Sequence, residues 1–387
     1  MEKQKICIIG GGLTGLVTAI SLSKLDCEID LVTDNFNKSL KSDRTIAISN
    51  NNLNLLTKLN IFENIEREIW PCCIMKLYAS NINKEFFKIF ELNKERENKK
   101  IFYMIQNTEL MKLMINKIKK IKNINIKKKD KVHSISDFGV LKKIQFNRKD
   151  YKYNLIILCT GHNSNLVNNT FKNQIIENSY KELAVTTILN HDFQKNNIAR
   201  QIFLDDEIVA FLPISNTKTS LVWTVKKDIK RKSDLFIKKK IRFYAKNYLK
   251  NIKFITKIDF QNLNFAISKK YFENRILLFG DALHKVHPLT GQGFNMMLRD
   301  LLCLEKILTD KINLGLDIGS EDILNEFSDK TKPRNFVYSI GIDIIRNCFN
   351  LKNNSFQNTR NEIIRKLNKN NFVKNIFYNI ADKGIRF

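Results

Sequence analysis

No Cys-x-x-Cys pair occurs in the 387-residue sequence, and no run of 18 apolar residues interrupts it. The seven cysteines, Cys7, Cys27, Cys72, Cys73, Cys159, Cys303 and Cys348, include several inside apolar runs. A free thiol there behaves as a small hydrophobe, so they are expected to be reduced. The missing apolar run argues against a transmembrane helix, and the N-terminus passes almost directly into strand-like sequence without the pattern of a signal peptide. The expected location is the cytoplasm or the inner face of a membrane. Acidic side chains are also scarce: 39 Asp and Glu stand against 66 Lys and Arg, a formal net charge of +27. Such an excess suits nucleic acid or an anionic membrane surface. No nucleic-acid motif accompanies it, and it is spread along the chain beside abundant Asn and Ile, so no nucleic-acid partner is expected. The most basic stretch, residues 117–131, alternates Lys with Ile like a solvated helix end followed by an edge strand. Internal repeats and low-complexity linkers are absent as well. A hydrophobic content of 43% over this length supports a large core in one large or two ordinary domains.

What is present gathers at glycine-punctuated segments. Residues 6–9 form a buried-strand run, followed by Gly10-Gly11-Gly12-Leu13-Thr14-Gly15, a helical pattern through Leu16, Ala19, Ile20 and Leu22, and a second strand at 29–32. This is Gly-x-Gly-x-x-Gly in the strand, turn, helix and strand context that a dinucleotide requires. Gly10 allows the turn, Gly12 lets a pyrophosphate approach the backbone, Gly15 permits close helix packing, and the helix N-terminus faces the phosphates. The acidic residue expected at the end of the second strand is assigned to Asp34, one position beyond Thr33, where the spacing falls. A second segment, residues 274–300, joins the apolar run 276–279 to Gly280-Asp281, and a helical pattern resumes after Gly293 with Asn295, Leu298, Leu301, Leu302 and Leu304. An acidic residue at a strand end accepts from a ribitol or ribose hydroxyl. The Gly291-Gln292-Gly293 turn lets backbone N–H groups approach an electron-rich ring. This chemistry suits a flavin.

Gly280-Asp281-Ala282-x-His284-x-x-x-Pro288-x-x-Gly291-Gln292-Gly293-x-Asn295 resembles the second flavin motif of FAD-dependent aromatic hydroxylases such as p-hydroxybenzoate hydroxylase. Within that group it most resembles the ubiquinone-biosynthesis ring hydroxylases, with Leu283 standing where they prefer Ala. The resemblance covers nearly the full length and implies FAD as cofactor. It places Gly10, Gly12, Gly15, Asp34, Arg44, Gln106, Gly161, Gly280, Asp281, Gly293, Phe294 and Asn295 at the cofactor, with Pro288, Gly291, Gln292 and Gly293 at the reacting face. Asp43-Arg44-x-x-Ala47-Ile48 is similar to the family's Arg-containing segment that crosses the flavin; the competing reading is a surface ion pair with Asp43. Gln106 stands where relatives contribute Gln or Glu to the flavin, and a plain helix-entry residue is the other reading. At Thr160-Gly161-His162-Asn163-Ser164 relatives carry Ala-Asp-Gly-x-x-Ser-x-x-Arg, a segment linked to both FAD and the nicotinamide donor. Thr160 replaces its Asp and Val167 its Arg, which leaves the donor half of the motif in question.

The fold implied is α/β. A Rossmann-like parallel sheet for FAD comes from residues 1–75, 98–180 and 270–310, a mainly antiparallel substrate sheet from 76–97 and 181–269, and a helical region from 311–387. Strand patterns occur at 183–189, 201–204, 208–213, 220–226 and 260–267, a hairpin at 132–146, and helices at 109–119, 234–249 and 321–349. Phe211 and Trp223, in segments resembling the family's Ala-x-x-Pro and Ser-x-Val-Trp, belong either to the substrate pocket or to the core. Glu207-Ile208 stands where relatives have Gly-Pro. Arg299-Asp300, Phe327 and Lys332-Pro333-Arg334-Asn335 resemble further family segments. The amphipathic tail, 360–387, is read either as docked on the body or as touching a membrane or partner. His284 and His287 are acid or base candidates, with a structural hydrogen bond the favoured role for His284. The activity implied is FAD-dependent hydroxylation of the ring of a lipophilic, prenylated phenol with molecular oxygen, electrons coming from NAD(P)H or a redox partner. A prenyl-chain reductase and a non-catalytic FAD-containing scaffold of a biosynthetic complex are the alternatives.

Overall fold

The computed structural model describes residues 3–34, 36, 44–80, 85–128, 132, 134–146, 149–288, 291–351 and 353–385. Two large sheets organise an α/β fold. The first has six strands in the order Phe272–Glu273, Ile276–Leu278, Leu155–Leu158, Gln4–Ile9, Cys27–Thr33 and Ile124–Lys128. All neighbours are parallel except the first two, which form a short antiparallel pair. Leu155–Leu158 is buried at every residue, as is Ile6 to Ile9. A parallel strand covered on both faces has no solvent side, so its sequence is a continuous apolar run rather than an alternation. Helices Leu13–Leu22, Asn107–Ile118 and Gly293–Asn313 add Leu16, Leu110, Met114, Leu298 and Leu301 to this core.

The second sheet runs His284–Lys285, Asp259–Ser268, Ile175–Asn190, Lys218–Lys226, Ile208–Pro213, Ile198–Phe203, Ile74–Ser80 and Phe86–Asn93, with Lys253–Phe254 beside Ile175–Asn190. It is antiparallel apart from the parallel pair Ile198–Phe203 and Ile74–Ser80. The strand Ile175–Asn190 crosses the boundary expected at residue 180 and bulges between Ser179 and Glu182, where Lys181 adopts φ +56°. Its polar first half hides it from a periodicity reading, which begins only at residue 183. One rung of the sheet, Val185, Trp223, Val209, Ile202 and Tyr78, faces the helix Asp234–Ala245. Phe211 and Trp223 are fully buried in that core, so neither lines a pocket. Glu207 secures the helix to the sheet: its carboxylate accepts from Trp223 Nε1 at 3.0 Å, from Tyr244 Oη at 2.5 Å, and from Lys240.

The expected hairpin is Ser134–Phe138 and Leu141–Phe146, and a third strand, Lys149–Tyr153, extends it. The basic stretch beginning at residue 117 divides as expected into a helix end at Ile118 and the edge strand Ile124–Lys128, its last three residues lying outside the described ones. Helix Glu321–Asn350 crosses the back of both sheets' cores, with Leu324 and Phe327 in one and Ile342 and Phe349 in the other. The tail docks on the body. Ile364 and Tyr378 pack with Phe90 and Leu92, and Phe377 meets Phe90 edge-on at 6.0 Å. No helix among the described residues is long and apolar enough to cross a membrane.

Candidate functional site

The glycine segments, far apart in sequence, meet at one place. Gly10 has φ +127°, and a Cβ there would lie 2.6 Å from the Cys159 carbonyl, so the turn is pressed against the end of strand Leu155–Leu158. Gly280 has φ +62°, and its added Cβ would come within 2.5 Å of Thr14 Cγ2, which ties the Gly280-Asp281 turn to the first helix. A Cβ on Gly291 would stand 3.4 Å from Ala47, placing that turn on strand Thr45–Ser49. This strand pairs with Phe102–Gln106, setting Thr45 opposite Gln106, while Asn107 N donates to the Arg44 carbonyl at 2.7 Å. Arg44 and Gln106, 62 positions apart in the numbering, therefore share one edge. Arg44 is open to solvent on one side; partial burial lowers its pKa, while the charges of Asp259 and Asp281 oppose that shift. The ion pair with Asp43 that competes for Arg44 involves a residue outside the described ones.

The cradle fits a dinucleotide. Cβ atoms added to Gly12 or Gly161 would meet nothing within 4 Å, so these backbones border open space, whereas a Cβ added to Gly15 would lie 1.8 Å from the Gly10 carbonyl oxygen. Helix Leu13–Leu22 begins at Gly12 without a side-chain cap, leaving its first N–H groups for a phosphate. Helix Gly293–Asn313 likewise begins uncapped, at Gln292, with Gly293 and Phe294 in its first turn. Gln292 Oε1 and Thr45 Oγ1 are buried polar atoms with no partner in the protein, as expected where a polar ligand completes the site. Gln106 sits at the entry of helix Asn107–Ile118 but makes no capping bond, so its amide is not consumed by the helix. Asp281 and Pro288 are exposed, and Gly291 N closes the turn onto the Pro288 carbonyl at 3.1 Å. Among the described residues no group of three or more His, Cys, Asp or Glu could hold a metal ion.

Several motif residues are engaged within the chain. Asn295 is buried and its amide is spent on the chain: Nδ2 donates to the Ala47 carbonyl at 2.7 Å, and Oδ1 accepts from Ser49 N and Asn52 Nδ2, each at 2.9 Å. It binds the Gly293 helix to the Arg44 strand rather than offering its side chain to a ligand. Thr33 faces the glycine turn, its Oγ1 lying 2.0 Å from where a Gly11 Cβ would be, and Asp34 is exposed one residue past the strand. His284 is the structural hydrogen-bonder expected: its Nε2 donates to Asp300 Oδ2 at 2.8 Å, and Asn335 Nδ2 donates to the same oxygen at 2.8 Å. Leu283, the departure within the motif, is 1% exposed and simply fills core. Thr160 shares a 2.7 Å hydrogen bond with Ser164, which caps helix Asn165–Thr170, and Val167 is fully buried.

His287, an acid or base candidate by sequence, belongs to a cluster whose other members, Glu182, Arg346 and Tyr180, no sequence signal singled out. His287 Nε2 is 3.4 Å from Glu182 Oε2, Arg346 Nη2 donates to Glu182 Oε1 at 2.5 Å, and the Arg346 guanidinium lies 4.1 Å above the Tyr180 ring. Burial works to raise the Glu182 carboxyl, but the hydrogen bonds from His287 and Arg346 outweigh it and hold the group below its ordinary 4.5. Burial lowers the His287 imidazole below 6.5 against the pull of Glu182. It lowers His162 too, helped by Lys285. Both rings stay neutral in the folded chain at a pH where the unfolded chain already binds protons. Stability is therefore expected to fall as the pH drops below about 6.5, and to go on falling until the folded pKa values are passed. The Glu182 contribution is lost only below 4.5. Scanning calorimetry from about pH 7.5 to about pH 5.5 should show a declining Tm, with a shallower slope in His287→Asn. A Tm that is flat across this window would contradict the assignment.

A family model for an FAD-binding domain matches residues 3–335. The mitochondrial ubiquinone biosynthesis monooxygenase COQ6 of Dictyostelium discoideum is 22% identical over an alignment of 448 positions, covering 97% of this chain and 90% of that relative. The ubiquinone hydroxylase UbiM of Neisseria meningitidis is 21% identical, over 84% of this chain and 73% of its own. Among solved structures, the p-nitrophenol 4-monooxygenase PnpA of Pseudomonas putida superposes with a TM-score of 0.80 at 16% identity, covering 100% of both chains. Klebsiella pneumoniae HpxO, solved in complex with FAD and uric acid, does so with 0.76 at 14% identity over 98% of this chain and 96% of its own. These two show a shared fold.

Proposed function

Because the chain belongs to the FAD-binding domain family, we propose that it is an FAD-dependent monooxygenase that hydroxylates the aromatic ring of a prenylated phenol or quinol during ubiquinone biosynthesis. The observation that carries this reading is the convergence of the Gly10, Gly280 and Gly291 turns with Arg44 and Gln106 on one open cradle. FAD supplies the oxygen-activating redox chemistry when bound, and the chain supplies position, polarity and dryness. Gly10, Gly12 and Gly15 with the first helix's N-terminus hold the pyrophosphate. Asp281 accepts from the ribityl chain, and Arg44 meets phosphate charge with a planar pair of donors. The N–H groups of Gly293 and Phe294 begin a 21-residue helix. Its positive end favours negative charge on the ring by about 0.3 to 2 kcal/mol.

The substrate wall is assigned to the sheet face opposite helix Asp234–Ala245. Side chains alternate across a strand, so the rung Thr186, Val222, Ala210, Gln201 and Leu77 points away from Trp223. Val222, Ala210 and Leu77 remain half-buried, an apolar surface for an aromatic ring. We assign residues 1–75, 98–180 and 270–310 to the cofactor and 76–97 and 181–269 to this wall, with the strand from Ile175 joining them. Incubation of the FAD-loaded protein with a prenylated phenol, oxygen and a reductant should yield a product with one added oxygen on the ring. A saturated prenyl chain would instead identify a reductase, and no turnover would indicate a scaffold.

The substrate's lipophilicity calls for access to a membrane surface. The docked tail still exposes Phe372, Ile363, Ile376 and Phe377 among lysines, and the chain's net charge is +27. Anionic vesicles should therefore recruit the protein at low salt and release it as salt rises past the screening of surface charge. Absence of cosedimentation at low salt would mean that substrate is delivered in another way.

A further inference from the structure

The C-terminal helix Asn371–Lys383 ends in a hydrogen-bonded mesh around strand Thr45–Ser49. Asp382 is 5% exposed, and its Oδ1 accepts from Asn51 N at 2.7 Å. Asn51 lies in the first turn of helix Asn50–Lys58, where a carboxylate both caps an N–H and meets the positive end of the helix. The Asp382 carbonyl accepts from Ser49 Oγ at 2.9 Å, while Ser49 N donates to Asn295 Oδ1 at 2.9 Å. Asn295 is the residue that grips the Ala47 carbonyl from the helix following the Gly291 turn. One residue past the helix end, Gly384 turns with φ +76°, and a Cβ there would lie 2.9 Å from Arg299 Nε on that same helix. The Arg44 strand is thus held on one edge by its ladder to Phe102–Gln106, and at its far end by Asn295 and the tail together.

We infer that the last helix is part of the flavin-binding apparatus, with Asp382 a positioning residue that sets the strand carrying Arg44 against the Gly291 turn. The inference rests on reading that strand and turn as the flavin cradle. The tail meets that strand at Ser49, through the Asp382 carbonyl, and its effect passes on through Ser49 and Asn295. Strain on the tail, or its withdrawal, would shift Arg44 and Ala47 relative to Gly291 without disturbing the glycine turn at Gly10.

The test is FAD titration of the full-length apoprotein by flavin fluorescence, with visible circular dichroism of the bound flavin and the Tm of the apoprotein. Asp382→Ala is expected to weaken FAD about tenfold, the size of a lost helix cap, and to alter the visible dichroism. Asp382→Asn keeps an acceptor for Asn51 N and should recover most of the affinity. Asn353→Ala removes an equivalent cap, since Asn353 accepts from Ser355 N and Phe356 N at the start of another tail helix. It should lower the apoprotein Tm comparably while leaving FAD affinity and dichroism at the parental level. If Asp382→Ala does not fold, Gly384→Ala, which crowds Arg299, carries the test with the same expected direction. Parental affinity and dichroism in Asp382→Ala, or equal weakening in Asn353→Ala, would overturn the positioning role. A parent chain that binds no FAD would instead overturn the flavin reading itself.

Discussion

Gly15→Val is expected to abolish retention of FAD, lowering affinity by about 100-fold or more. The reason is contact with backbone, which cannot rotate aside. A Cβ at Gly15 would stand 1.8 Å from the Gly10 carbonyl oxygen and 3.0 Å from its carbon. Helix Leu13–Leu22 would have to retreat from the turn, and with it the N–H groups that face the pyrophosphate. The turn cannot yield in compensation, because Gly10 is itself pressed against Cys159. Gly341→Ala is the matched control. It lies inside helix Glu321–Asn350, and its added Cβ would meet nothing within 4 Å. That variant should retain FAD and gain slightly in stability from helix propensity. Flavin absorbance of the purified proteins decides the matter. A yellow Gly15→Val protein with the parental flavin content would remove the Gly10 turn from the cofactor site.

Direct reduction by free NADPH or NADH is expected to be slow. The segment at Thr160 to Val167 resembles one in which relatives carry an Asp and an Arg, able to organise a ribose and to meet a phosphate with two hydrogen bonds. Here Thr160 is engaged with Ser164 and carries no charge, and Val167 is buried in the core, where it offers none. Each missing charge-assisted bond weakens binding by roughly 1.5 to 3 kcal/mol, or about ten- to hundredfold. FAD itself is expected to bind still, since its other proposed anchors survive. Anaerobic stopped-flow should therefore show sluggish flavin reduction by either free nucleotide and faster reduction by a redox partner or a membrane extract. Rapid, saturable reduction at micromolar NADPH would sink the idea and direct attention to Arg44, Lys285 or His162 as the donor's partners.

Much of the local structure of the proposed cofactor site could be read before any fold was known, because its determinants are local. Gly10, Gly12 and Gly15 are called for by backbone approach within one turn, and the apolar runs at 6–9 and 155–158 follow from burial on both faces. The hairpin, the edge strand after the basic helix end and the helix from Glu321 were legible for the same reason: period and turn chemistry act over a few residues. Only the tertiary structure decided which side chains of those elements are free. Asn295 belongs to the motif by spacing, yet its amide is consumed by Ala47, Ser49 and Asn52, residues more than 240 positions away. Phe211 and Trp223 share the rhythm of residues on the opposite face, and only the docking of helix Asp234–Ala245 assigns them to core. Glu182 and Arg346 lie 164 residues apart, one in a polar half-strand and one in an amphipathic helix, and no local pattern pairs them. A sequence determines turns and periods through near neighbours. The long-range hydrogen bonds that spend one polar group and leave another for a ligand exist only once packing has brought distant segments together and removed water from between them.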